Sequence, residues 1–323
     1  MTEDKLVRRV VRQGKAFLVG NAGLMVYGQG IGSPKQAVSD GDTISTRALA
    51  NLALRFLGVD APEKGLFRKQ ADGSERYVGI ADPSWDGFLQ GQLEAMAAAL
   101  EPPLRAHLQA RVQPGVSANH AHHAQAATLA LEALVQDDLE FYQHTPESFR
   151  FYLAYGREVL DGYGRLLCFA APNVPNPTPQ RPRRASYNTR LLEGAHASPY
   201  FIWPNIDPFR EQPTPFGAVL QPERFWAEVN ASRTLQGARA TVKQSRAQQR
   251  GLYDAQNPLT LLAFELRYLT AGKPPQRYVI DLAHPSHRLL RPQRYVEVEY
   301  PEDRLFVPEE YEPLFEQYGW VVA

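Results

Sequence analysis

The sequence predicts a mixed α+β fold, on three observations. Residues 35–62 hold two stretches, "QAVSDGDTIST" and "NLALRFLGV", that read as short strands bounded by Asp-Gly and Ala-Pro turn signals. From residue 65 the pattern changes: after "ADGSERYVGIADPSWDG", "GFLQGQLEAMAAAL" and then "SANHAHHAQAATLALEALVQ" read as amphipathic helices. The chain has 323 residues, 44% of them hydrophobic, which is enough for a sizeable core and excludes global disorder.

The elements follow in order. Residues 1–33 are punctuated by glycine, and "GQGIG" (Gly28–Gly32) reads as a turn. It lacks G-x-G-x-x-G spacing, and Pro34 stands where a helix would begin. The first helical stretch breaks at Pro102-Pro103 and resumes as "LRAHLQARV". The next helix has an N-cap at Ser117 or Asn119 and an apolar stripe of Leu129, Leu131, Leu134 and Val135. Its His120, His122 and His123 read as a solvated helix start rather than a zinc site. Adjacent and i+2 positions on a helix do not converge, and no cysteine joins them.

"EFYQHTPESFRFYLAYGREVLDGYGRLLCFA" reads as aromatic strands turning at Asp161-Gly162. A proline-rich loop then carries Arg181, Arg183 and Arg184. "SYNTRLLEGAHASPYFIWPN" reads as a short helix ended at Gly194 and a strand reaching Pro204. Between 233 and 250 lie Arg233, Arg239, Lys243, Arg246 and Arg250, a solvated helix face or else a phosphate-facing surface. In the tail, "QRYVIDL" and "QRYVEVEY" read as strands before an acidic end. The chain shows no internal repeat.

Lys plus Arg and Asp plus Glu number 35 each, so the net charge is zero and hides a basic middle and an acidic end. One cysteine, Cys168, excludes an internal disulfide framework and reads as a small core residue. The start has charges of both signs and no apolar run of signal-peptide length, and nothing later spans a bilayer. The expected location is the cytoplasm, with no membrane partner.

Chemistry concentrates where "DGDTIST" (40–46) is followed by "LRFLGVDAPEKG" (54–65). Asp40, Asp42, Arg55, Asp60 and Glu63 gather there at strand ends, and a buried charge must be paired or bound to a metal. Two carboxylates such as Asp42 and Asp60 suit a hard divalent cation. Arginine grips phosphate with a planar fork, and Glu63 suits the activation of water. These are the parts of phosphodiester hydrolysis, or of a surface salt-bridge network on a non-catalytic barrel. Asp40 precedes a glycine and reads as a turn residue. Arg55 and Asp60 would point to opposite faces of an ideal strand, so one site needs a bend, for which Gly58 is the natural place.

"DGDTI", "RFLGVDAPE" and "DGYGR", in this order, resemble the staphylococcal (thermonuclease-like) nuclease family. The resemblance runs through "SYNTRLLEGAHASPYFIWPN" to "RAQQRGLYD" and covers roughly 35–64, 120–170 and 186–253. It implies a five-stranded OB-type barrel with helices and a calcium-dependent nuclease that cuts DNA and RNA, leaving 3′-phosphate ends. By the same resemblance Asp42 and Asp60 match the metal-binding aspartates, and Ala61 stands where a main-chain carbonyl serves the metal. Arg55 and Arg165 match the arginines at the scissile phosphate. Glu63 matches the general base, and Tyr163 and Tyr200 match tyrosines flanking the nucleotide.

The organisation this implies is an N-terminal extension over 1–34 and a nuclease-like barrel over 35–254, with an insertion at about 65–118. A strand-rich C-terminal extension over 255–323 completes it. Three departures stand out. Gly162 replaces a common lysine, the chain is neutral where minimal nucleases are basic, and the insertion's helices at 84–112 are expected to wall the cleft. The alternative is an inactive, nucleic-acid-binding or scaffolding relative.

Overall fold

In β-strands side chains alternate between faces, and here that alternation closes a barrel. A computed structural model describes residues 7–12, 15–47, 51–70, 73–212 and 214–323. Its early strands are Lys15–Leu24 (β1), Val38–Asp40 (β2), Thr43–Arg47 (β3), Asn51–Phe56 (β4) and Gly58–Asp60 (β5). Phe151–Leu160 (β6) and Leu166–Pro172 (β7) follow the inserted helices. Neighbours run β1–β6–β7–β4–β3, and β3 returns to β1 through Gly23 opposite Arg47 and Leu24 opposite Thr46. All these pairings are antiparallel except β7–β4, which sets Leu166 beside Leu54 and Cys168 beside Phe56. The result is a closed five-stranded, OB-like barrel inside a mixed α+β fold.

Phe151, Leu153 and Tyr155 of β6 and Leu166, Cys168 and Ala170 of β7 fill its core. Cys168 is fully buried, as expected. The barrel begins earlier than residue 35. β1, inside the stretch expected as an N-terminal extension, is the stave between β3 and β6, and its Ala22 and Leu24 sit in the barrel core. Residues 1–6 and 13–14 of that stretch lie outside the described residues.

The helices are Ser84–Met96 (α1), Pro102–Arg111 (α2), Val116–Tyr142 (α3), Tyr187–Glu193 (α4), Pro222–Ala231 (α5), Arg233–Ala247 (α6) and Ala263–Ala271 (α7). α3 starts after Gly115, whose φ of 91° favours glycine, rather than at Ser117 or Asn119. Its Ala127, Leu131, Val135 and Leu139 join the barrel core, while Leu129 faces out. The first turns of α3 are solvated only in part: His122 is exposed as expected, but His120 and His123 are buried beneath the segment 257–261. α4 is capped by Ser186, whose side chain accepts from the Thr189 amide, and ends at Gly194 as expected.

The tail is woven into the molecule. Ser198–Ile202 (β8), Tyr278–Asp281 (β9) and Arg304–Val307 (β10) form a sheet with β5, ordered β9–β10–β8–β5. "QRYVEVEY" is not a strand: Pro292–Glu297 is a 3-10 turn, started by Pro292 and held by the buried Tyr295 hydroxyl on Glu265. α1 and α2 do not wall the cleft. Their Trp85, Leu89, Leu104 and Leu108 pack in one core with Phe264, Leu266 and Leu269 of α7, which they support from behind. The basic helix face divides: Arg239 reaches Asp303 at 2.6 Å and Arg246 reaches Glu302 at 2.7 Å, while Arg233, Lys243 and Arg250 are exposed as a solvated face would be. Among the described residues no helix is long and apolar enough to cross a membrane.

Candidate functional site

The turn "DGD" sets the first acid. Asp40 Oδ1 accepts from the Asp42 amide at 3.2 Å, which makes Asp40 the expected turn residue and leaves Asp42 aimed inward. Gly41 permits the approach of α3, since a Cβ there would fall 2.4 Å from that of Ala127 and 2.8 Å from that of Ala61. Arg55 lies at the end of β4, and Gly58, with φ of 75°, bends the chain before Asp60. The bend does what strand parity required: Arg55 Nη2 meets Asp60 Oδ1 at 2.7 Å, and its Nη1 binds Asp42 Oδ1.

Both aspartates are almost fully buried. Asp42 Oδ1 also accepts from the Thr43 hydroxyl at 3.2 Å, and Oδ2 accepts from the Ala61 amide at 2.8 Å. Ala61 thus meets Asp42 through its N–H. Asp60 is gripped a second time, by a residue the sequence did not disclose. Arg267 of α7 donates from Nη1 to Asp60 Oδ1 and from Nη2 to Asp60 Oδ2, both at 2.9 Å, and from Nη1 to Glu63 Oε1 at 2.6 Å. Within the apolar helix "AFELRYLTA" it looks like any solvated arginine.

Burial and the neighbouring acids Asp40 and Asp60 push the Asp42 carboxyl well above its ordinary range, against Arg55. Burial would raise Asp60 too, but Arg267 and Arg55 outweigh it and hold it low. Burial raises Glu63, with Arg267 opposing.

Glu63 is fixed from behind by His120. The Glu63 amide donates to His120 Nε2 at 2.8 Å, so the other ring nitrogen, 3.2 Å from the Leu261 carbonyl, carries the proton. His120 was expected in solvent, and nothing in its sequence neighbourhood marks this role.

A cleft of about 620 Å³ reaches Arg55, Glu63 and Arg267 but not Asp42, Asp60 or Ala61. Arg55, Glu63, Arg165, Tyr163 and Tyr200 all line it, and so do Arg267 and Arg277. Arg165 is held by Asp161, which accepts from Nε at 2.7 Å and from the backbone amide at 2.9 Å. Tyr163 is 88% exposed and lies 5.4 Å from the Arg165 guanidinium, a free aromatic face at the rim. Tyr200 is different. Its ring stacks on Phe264 at 5.3 Å and its hydroxyl accepts from Arg277 at 3.0 Å, so it is a packed wall. The arginines of the proline-rich loop are absent from the lining: Arg184 is tied to Asp138 at 2.8 Å and Arg183 to the Val174 carbonyl at 3.0 Å.

Calcium takes carboxylate and carbonyl oxygens as ligands. Each oxygen of Asp42 and of Asp60 already accepts a hydrogen bond, three of the contacts to Asp60 coming from guanidinium groups. In this arrangement the oxygens of Asp60 face the guanidinium groups of Arg55 and Arg267. Among the described residues no group of three or more His, Cys, Asp or Glu is placed to hold a metal.

Fold and cleft together define a mixed α+β protein with an OB-like barrel, whose rim gathers acids and guanidinium groups in one pocket. Compared with protein-family models and with curated proteins, the chain finds no match.

Proposed function

We propose that this protein is a nuclease of staphylococcal-nuclease-like fold, a phosphodiester hydrolase that cuts DNA, RNA or both. One observation carries the reading. Arg55, Glu63, Tyr163, Arg165 and Tyr200, far apart in sequence, line a single cleft. A salt-bridge network of structural origin has no reason to collect them there.

The residues divide the work. Arg55 and Arg165 receive the scissile phosphate and neutralise the charge that builds on its oxygens. Glu63 accepts a proton from water as the water oxygen attacks phosphorus. The bond from phosphorus to the 5′ oxygen breaks, and that oxygen takes a proton from solvent. A carboxyl raised by burial suits this task, because its basicity lies nearer neutral pH. Tyr163 offers an exposed ring on which a base can stack. Calcium, when bound, would supply further charge neutralisation from Asp42, Asp60 and the Ala61 carbonyl. Arg55 must first release Asp42 and Asp60, and Arg267 must release Asp60, and no step above depends on the ion.

A second reading has its own support. Arg267 clamps both Asp60 and Glu63, and Arg165 is held by Asp161, an arrangement suited to binding without cleavage. Purified protein incubated with plasmid DNA and with RNA, in calcium and in chelator, separates the two. The nuclease reading expects degradation in at least one condition. Oligonucleotide that binds and stays intact in every condition favours the second.

A further inference from the structure

The acids of the cleft already have a cation, and the chain supplies it. Asp40, Asp42, Asp60 and Glu63 lie close together beside the cleft, Glu63 alone of them lining it, and Arg55 and Arg267 are the positive groups drawn to them. Arg267 covers both oxygens of Asp60 and one of Glu63. Its place is built into the fold. The helix that carries it is anchored on each side by the fully buried Leu266 and Leu269, and the ring of Tyr200 lies 6.0 Å from the guanidinium.

We propose that Arg267 is the resident cation of this site, and that Arg267 and a divalent metal ion exclude one another at Asp60 and Glu63. A carboxylate oxygen can turn its lone pairs to a guanidinium or to a divalent ion about 2.3–2.6 Å away, but two cations cannot share that space. With Arg267 withdrawn, Arg55 alone faces the acids, and a doubly charged ion becomes the favoured replacement. The inference rests on this carboxylate geometry and does not need the nuclease reading.

Calcium titration of the full chain by calorimetry, from metal-free buffer, tests it without any activity measurement. Arg267→Met is expected to bind calcium at least ~10-fold more tightly than the wild type, since it removes the competing charge and keeps the apolar stem. The gain should vanish when Glu63→Gln is added. Arg267→Lys should fall between the two, because one ammonium cannot cover three oxygens as the fork does. The lysine variant keeps the test alive if the methionine variant does not fold. Equal calcium affinity in the wild type and the folded Arg267 variants overturns the proposal, and so does the lack of calcium binding in all of them.

Discussion

His120 ties three segments together with two hydrogen bonds: its own helix, the Glu63 backbone and the chain at Leu261. The ring is 1% exposed, and burial lowers its pKa from 6.5 to about 4. In the unfolded chain it takes up a proton below its ordinary value, but in the folded chain only near 4. The stability tied to neutral His120 is therefore complete above pH 6.5 and is lost as pH falls from there toward 4. The loss is on the order of 3 kcal/mol at about 1.4 kcal/mol per pH unit. Protonation also places a hydrogen on Nε2 and removes the acceptor of the Glu63 amide. Denaturant unfolding at steps between pH 7 and pH 4 should show a shallower decline in His120→Gln than in the wild type. Parallel declines would mean that another group titrates.

At the scale of elements, the site depends on the break between β4 and β5. Without it, Arg55 and Asp60 would leave opposite faces of one strand. Gly58 makes the break with φ of 75°, a conformation that costs an L-residue about 1–2 kcal/mol. Space is not the obstacle, since a Cβ there would meet Phe201 at 3.7 Å and Phe169 at 3.8 Å, ordinary contacts. Gly58→Ala should therefore lose about 1–2 kcal/mol in denaturant titration, through backbone strain alone. It should also lower cleavage, because the same strain is relieved by turning Arg55 away from Asp60. An unchanged midpoint would show that the bend is not a strained one.

Across the whole molecule, the tail is as much a part of the cleft as the barrel is. β10 joins β8, and β8 joins β5, so the acids at the end of β5 sit in a sheet that only the last segment completes. This explains what could be read beforehand. Asp42, Arg55, Asp60 and Glu63 lie within about twenty residues, and local spacing carries their chemistry. The bend at Gly58 was legible for the same reason. Arg267 was not, because a lone arginine on an amphipathic helix has the same pattern whether it faces water or a buried aspartate. The burial of His120 and the 3-10 turn at Pro292–Glu297 were hidden likewise, since distant packing decides both. β1 was missed because its short side chains and glycines mute the alternation that marks a strand.

With the chain neutral overall, the proposed attraction for a polyanion rests on the cleft, which Arg55, Arg165, Arg267 and Arg277 line. The most direct measurement is the rate at which the full chain cuts a labelled single-stranded DNA, with and without calcium, set beside Arg165→Ala. The wild type should cut, and the variant should cut about 10²–10³-fold more slowly with an unchanged unfolding midpoint. An uncut substrate with the wild type, or an undiminished rate with the variant, would contradict a phosphate-cleaving role for this cleft.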